Sequence, residues 1–262
     1  MFEVNAENGL IYLTSDVLSG TAHGFSTRLG GVSPAPRDSL NLDERGDDIA
    51  NVQENFRRFC GVTGTDVSRI VLSKQVHRDD VRVVTADDCG MGLWRERDYD
   101  SADALISATP HIPLVVFSAD CGVILLHDAV RGAIGAVHAG WRGTAMGIVG
   151  KAVREMVRCF GCEASNIHAA IGPSIGACCF ETDEDVPVAL REAMGKDAEP
   201  FMVRHGAKWH IDLKAVNRYW LMREGVTVID TCDHCTACRP DLYWSHRKMG
   251  RERGEQVAMI SL

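Results

Sequence analysis

Ile112-Pro113-Leu114-Val115-Val116-Phe117-Ser118-Ala119-Asp120-Cys121-Gly122-Val123-Ile124-Leu125-Leu126 is the stretch that decides the fold. Two apolar runs, each of a length suited to a short buried strand, flank a polar break that ends on a cysteine. Working outward, Gly132-Ala133-Ile134-Gly135-Ala136-Val137 reads as the next strand, with His138 at its end. After the turn Gly140-Trp141-Arg142-Gly143, residues Ala145, Val149, Ala152 and Met156 fall on one helical face, so a helix capped by Thr144 is expected. Toward the N-terminus, Leu10–Leu13 and Ala22–Ser26 read as strands and Arg28–Pro36 as a turn-rich loop. A helix runs from Asp48 through Val52, Phe56 and Phe59 to Gly61, and strands follow around Ile70–Val76 and Val81–Val84. Toward the C-terminus come a strand at Ile167–Gly172, a helix near Val186–Met194, a helix over Leu213–Glu224 capped by Asp212, and final strands. No repeat, linker or composition break divides the chain, so one domain over residues 1–262 is expected.

Composition narrows the function. A hydrophobic content of 45% with 24% charged residues fits a globular chain with a real core. The net charge of −8, with arginines scattered, argues against a nucleic-acid polymer as partner, because backbone binding needs clustered Lys and Arg. The acidic start Met1-Phe2-Glu3-Val4-Asn5-Ala6-Glu7 is unlike a signal peptide, and no apolar run approaches the roughly 20 residues that span a bilayer. A cytoplasmic protein with no membrane partner is therefore expected. In that setting the ten cysteines read as reduced thiols.

Three motifs carry the chemistry: Lys74-Gln75-Val76-His77, Ser118-Ala119-Asp120-Cys121 and Val137-His138-Ala139-Gly140-Trp141-Arg142-Gly143. Each places a metal-competent side chain at the end of a strand-like run. Two imidazoles and a thiolate make a three-ligand zinc site with a fourth position open, the arrangement of a catalytic metal. Taken singly, a strand-end histidine is ordinarily a half-buried polar group and a cysteine in an apolar stretch a structural one. Their recurrence in three such motifs points to an enzyme.

These motifs belong to a longer set. Phe25-Ser26-Thr27-Arg28-Leu29-Gly30-Gly31-Val32-Ser33, Ser39-Leu40-Asn41-Leu42, Asp103-Ala104, Ile171-Gly172-Pro173-Ser174-Ile175 and Asp241-Leu242-Tyr243-Trp244-Ser245-His246-Arg247 accompany them in order. Together they resemble the YfiH/YlmD family, whose members carry laccase-domain and polyphenol-oxidase labels. The resemblance implies an α+β fold with mixed β-sheets sandwiched between helices, and zinc ligands at His77, Cys121 and His138. It also implies phosphorolysis of adenosine, inosine and S-methyl-5'-thioadenosine, deamination of adenosine, and a link to peptidoglycan precursor editing. The partners are then purine nucleosides and inorganic phosphate; the oligomeric state is left open.

Zinc-bound water can have a pKa of roughly 7 and supply hydroxide for attack on the amidine carbon of a purine. That reaction also needs a carboxylate to carry protons; Asp120 is the first candidate and Asp103 the second. Phosphorolysis needs an anion site instead. Arg28 in its glycine-rich loop and Arg142 at a helix start are the expected phosphate holders and, with Cys121 and Asp120, the expected catalytic set. Asn41 and Lys74 join the arginines in the substrate site.

Other chemistries are open to the same residues. Cys121 and His138 could act without metal as the nucleophile and base of a cysteine hydrolase, the form in which a role in peptidoglycan editing would be enzymatic, but His77 would then have no task. Copper can occupy a two-histidine, one-cysteine set. A multicopper oxidase usually builds its cluster from His-x-His pairs, and the chain has none, so copper there would be adventitious. Finally, Cys232-Asp233-His234-Cys235-Thr236-Ala237-Cys238 and the pair Cys159 and Cys162 have spacings that invite a second metal. Both are expected to be reduced, non-ligating thiols.

Overall fold

Leu114–Ser118 and Gly122–Asp128 are strands, and their packing explains why neither alternates between apolar and polar residues. Leu114 and Val116 share a core with Val123 and Leu125. Val115 and Phe117 belong to another core, with Phe56 and Phe59 of helix Ile49–Thr63. Ile124 and Leu126 share a third with Val149, Val153 and Met156 of helix Ile148–Phe160. A strand covered on both faces has no polar side to display.

The computed structural model describes residues 1–262 and has four layers. Helix Ile49–Thr63 covers the outer face of a six-stranded sheet ordered Phe2–Glu7, Leu10–Ser15, Ala22–Ser26, Gln256–Ser261, Leu114–Ser118, Val71–Leu72. That sheet packs on a second, ordered Val228–Thr231, Ile167–Ile171, Gly122–Asp128, Ala133–Ala139, Ala104–Ser107, Val81–Val83. Helices Ile148–Phe160, Asp185–Met194 and Leu213–Arg223 cover the far side of the second sheet. Mixed sheets lie between helices, as expected from the resemblance. No helix is long and apolar enough to cross a membrane.

Several ends were legible. Asp48 accepts the Ala50 N–H at 2.9 Å and Asp212 accepts the Ala215 N–H at 3.0 Å, so both caps are made. The first helix stops at Gly64, in the left-handed region at φ 73°, a turn later than Gly61.

Other parts differ from expectation. The helix after His138 is broken into Trp141–Ala145 and Ile148–Phe160 at Gly147, which has φ 73°. Thr144 therefore caps nothing; it is buried inside the first piece, where it takes a hydrogen bond from Asn217 at 3.1 Å. Only Val71–Leu72 of the expected strand over Ile70–Val76 is extended in a sheet, because the chain leaves it to build the site. The edge strand Phe2–Glu7 has too little buried surface to show in the sequence. It folds onto Leu10–Ser15 through Asn8-Gly9, both at positive φ, a hairpin turn marked by that dipeptide. A small three-stranded sheet of Glu181–Thr182, Lys208–Ile211 and Met202–His205 was also not anticipated.

Candidate metal centre

Strand register assembles the site at one end of the second sheet. Val123 pairs with His138 and Gly122 with Ala139, which brings Cys121 to the His138 end of that hairpin. On the other side Ala104 pairs with Val137, and the His138 N–H donates to the Asp103 carbonyl at 2.8 Å. Asp103 is wholly buried. Its carboxylate accepts the N–H groups of Val76 and His77 at 3.0 Å and of Arg78 at 3.2 Å, and takes His138 Nδ1–H at 2.8 Å. One carboxylate thus holds the loop that carries His77, itself in the left-handed region at φ 60°, and fixes the His138 ring. Burial alone would raise the Asp103 carboxyl, but His138 and the backbone amides more than offset it and hold it below the usual carboxylate range. Because His138 Nδ1 faces Asp103, Nε2 is the nitrogen left for the site.

The ligating atoms of His77, Cys121 and His138 all lie within 4.8 Å of one another. The two rings stand edge to face, 4.9 Å between centroids at 81°. Burial pushes the Cys121 thiol up, but His138 and His77 outweigh it and hold the thiol at about 6. Burial pushes His138 down, and the Cys121 sulfur and Asp103 carboxylate reverse this to about 9. The donor set suits zinc: two imidazoles, a sulfur held as thiolate, and room for a fourth ligand. Gly140 keeps the space, since a Cβ there would stand 2.6 Å from His77 Nδ1 and 3.5 Å from Cys121 Sγ.

These three residues line a cavity of about 280 Å³, close to the lower end, ~300 Å³, of small-molecule sites. Leu42, Val52, Leu72, Leu93 and Phe117 contribute apolar wall, and Lys74, Arg97, Arg45 and Arg253 contribute cationic groups. Of the residues assigned to substrate from sequence, Lys74 alone lines it.

The others are engaged elsewhere. Arg28 donates Nη1 to the Pro240 carbonyl at 2.9 Å and Nη2 to the Asp38 carbonyl at 2.9 Å, and its guanidinium lies 4.0 Å from the Trp244 ring centroid. It braces the glycine-rich loop and does not face the cavity. Arg142 is exposed and stacks on Trp141 at 4.1 Å. Asn41 is buried as a loop clasp, donating to the Asp43 carbonyl and the Asp47 carboxylate at 2.8 Å and accepting the Glu255 N–H at 3.0 Å. Asp120 accepts from the Thr236 hydroxyl at 2.6 Å and the Arg247 N–H at 2.7 Å, and it does not line the cavity. Asp103 accepts four hydrogen bonds and does not line it either. Arg97, Arg45 and Arg253 were missed because they sit in irregular, highly charged loops that carry no motif; only their position in the fold reveals them.

Fold and site together define an α+β sandwich with a two-histidine, one-cysteine cluster at a sheet end. Residues 22–262 match the family described as "Multi-copper polyphenol oxidoreductase laccase", and the chain belongs to this laccase-domain family. It is 37% identical over 241 residues to a purine nucleoside phosphorylase of Deinococcus radiodurans, covering 92% of this chain and 88% of that protein. It is 31% identical over 252 residues to the purine nucleoside phosphorylase LACC1 of Mus musculus, covering 92% of this chain but 55% of the mouse protein, so the chain spans about half that relative's length. The crystal structure of YlmD from Geobacillus stearothermophilus superposes with a TM-score of 0.91 at 32% identity, covering 99% of this chain and 98% of the other. The fold is that of the YfiH/YlmD proteins. The multicopper wording has no counterpart in the site: the chain's two clusters of metal-competent side chains are a three-residue set and a group of four cysteines, and neither is a trinuclear histidine array.

Proposed function

We propose that this chain is a purine nucleoside phosphorylase that holds zinc on His77, Cys121 and His138. It would cleave adenosine, inosine and S-methyl-5'-thioadenosine with inorganic phosphate and also deaminate adenosine. The observation that carries the reading is the convergence of two imidazoles and a thiol on a nucleoside-scale cavity that also holds cationic side chains. Bound zinc supplies Lewis acidity and activates water near neutral pH.

The chain's own residues divide the remaining work. Arg97 anchors its Nε on the Leu72 carbonyl at 3.2 Å, which leaves its terminal nitrogens for an oxyanion, and Lys74 meets only the exposed Asp100 at 3.4 Å. Arg45 is paired with Asp43 at 2.7 Å and Glu255 at 2.6 Å, and Arg253 with Glu255 at 2.8 Å. Arg97 and Lys74 therefore hold phosphate, while the apolar wall takes the base. Deamination needs a carboxylate on the cavity wall, where Asp43, Glu44 and Glu255 stand and Asp120 and Asp103 do not.

A second reading has one observation in its favour: Asp103, His138 and Cys121 follow one another as the orienting acid, base and nucleophile of a cysteine hydrolase. It leaves His77 idle. Purified protein, assayed for base release from the three nucleosides with and without phosphate, separates the two. Phosphate-dependent release lost in Cys121→Ala together with one equivalent of zinc supports phosphorolysis; no base release, with Cys121 of zinc-stripped protein acylated by an activated ester, supports the hydrolase.

A further inference from the structure

Four cysteines meet in the two loops that contact Asp120. Cys178 and Cys179 follow strand Ile167–Ile171, Cys235 and Cys238 follow strand Val228–Thr231, and all four sulfurs lie within 4.8 Å of one another. Cys238 Sγ is 3.5 Å from Cys178 Sγ and 3.4 Å from Cys179 Sγ. A disulfide would need ~2.05 Å, whereas zinc bonded to four sulfurs at ~2.3 Å separates them by roughly 3.8 Å. All four cysteines are free, so the cluster has the spacing of a tetrahedral thiolate site.

Backbone contacts fix where the sulfurs stand. Cys235-Thr236-Ala237-Cys238 is a tight turn in which the Cys238 and Arg239 N–H groups both reach the Cys235 carbonyl at 3.2 Å, setting the two sulfurs of the pair side by side. The Gly176 N–H donates to Cys235 Sγ at 3.2 Å, the outer contact that orients a ligating thiolate. Arg247 approaches from the other segment, donating to the Cys179 carbonyl at 3.0 Å and the Glu181 carbonyl at 2.9 Å. Soft sulfur ligands without carboxylate or imidazole select zinc over hard cations.

We propose that Cys178, Cys179, Cys235 and Cys238 hold a second, structural zinc ion that staples the 172–180 loop to the 232–239 loop. This replaces the expectation that these thiols ligate nothing; the sequence pattern suggested Cys159 and Cys162 as partners, whereas the fold supplies the adjacent pair Cys178 and Cys179. The staple reaches the first cluster through Asp120. Thr236, inside the Cys-x-x-Cys turn, donates to Asp120 Oδ1 at 2.6 Å, and Ile175, in the other loop, donates its N–H to the Asp120 carbonyl at 2.9 Å. Both stapled loops thus grip Asp120, which sits at φ 94° immediately before Cys121. The ion closes with four protein ligands and takes no part in chemistry.

The test is zinc content of the full chain, purified without added metal, in four forms: wild type, Cys121→Ala, Cys178→Ser/Cys238→Ser, and the triple variant. Two equivalents, one, one and none are expected, and because each cluster has its own variant, failure of one does not imitate failure of the other. Where a variant does not fold, wild-type protein titrated with a mercurial thiol reagent gives the same answer, zinc released in step with modification of these four cysteines as mapped by mass spectrometry. Cobalt loaded into Cys121→Ala should give the strong charge-transfer absorption of a four-thiolate site. Unchanged zinc in the double variant, or a disulfide joining Cys238 to Cys178 or Cys179 in protein purified under reducing conditions, would overturn the proposal.

Discussion

Asp103→Asn is the substitution with the most to say about how the centre is held. The wild-type carboxylate accepts four hydrogen bonds, from the backbone N–H groups of Val76, His77 and Arg78 and from His138 Nδ1. An asparagine of the same shape can keep its oxygen toward His77 and His138, but its NH₂ then meets the Val76 and Arg78 N–H groups, which approach the second carboxylate oxygen at 3.0 and 3.2 Å. Hydrogen bonds to a charged group contribute about 1.5–3 kcal/mol each. Val76 and Arg78 are exposed residues whose amides can turn to water, so we discount the two losses to about 2–4 kcal/mol in total. The outer-shell partner of a metal-bound histidine typically governs 10–100-fold in affinity, or about 1.4–2.8 kcal/mol. Urea unfolding should therefore show the stability loss, and competition with a chromophoric chelator should show zinc bound 10–100-fold more weakly. Wild-type zinc affinity in a folded Asp103→Asn protein would refute the claim that this carboxylate organises both imidazoles.

The remaining predictions concern the cavity, its space and pH. Arg97→Ala should raise the phosphate concentration needed for half-maximal activity by about tenfold or more, the loss of one charge-assisted contact, whereas Arg28→Ala should leave that concentration alone and lower thermal stability, because Arg28 is bonded to Pro240 and Asp38 and stacked on Trp244. The reverse pattern would return the phosphate site to Arg28. Gly140→Ala has an ordinary backbone at φ −62°, so its added methyl should displace His77 and remove one equivalent of zinc without loss of fold, as metal analysis and circular dichroism would show. A full two equivalents of zinc in that variant would mean that His77 does not ligate. His127 and His23 are held below their usual pKa, chiefly by burial. The unfolded chain therefore takes up protons that the fold refuses, and unfolding free energy should fall as pH drops below about 6.5; a stability rising toward pH 5 would contradict the sign.

The sequence was most informative where one chemical requirement fixes one residue. The metal-competent residues His77, Cys121 and His138, and the caps Asp48 and Asp212, could be read because each residue type has a local reason to be there, although His77 sits in a loop beyond Leu72 and not at a strand end. The proposed anion site could not be read. Arg28 and Arg142 sit in glycine motifs that look suited to phosphate, yet the fold gives Arg28 a bracing task and leaves Arg142 stacked on Trp141, while Arg97 reaches the cavity from an unpatterned loop. Long-range convergence was hidden for the same reason: nothing local relates Cys178 and Cys179 to Cys235 and Cys238, and nothing local shows that Asp103 rather than Asp120 stands behind His138.

Inosine isolates the proposed reaction, because it has no amine to lose and can report only cleavage of its glycosidic bond. The decisive measurement is hypoxanthine release from inosine by wild-type and Cys121→Ala protein, each with matched zinc analysis, across a phosphate titration. Saturable phosphate dependence is expected in the wild type, and the variant should lose its activity together with the zinc equivalent held by His77, Cys121 and His138. Inosine cleavage at the wild-type rate by Cys121→Ala protein that has lost its zinc from this centre would contradict it.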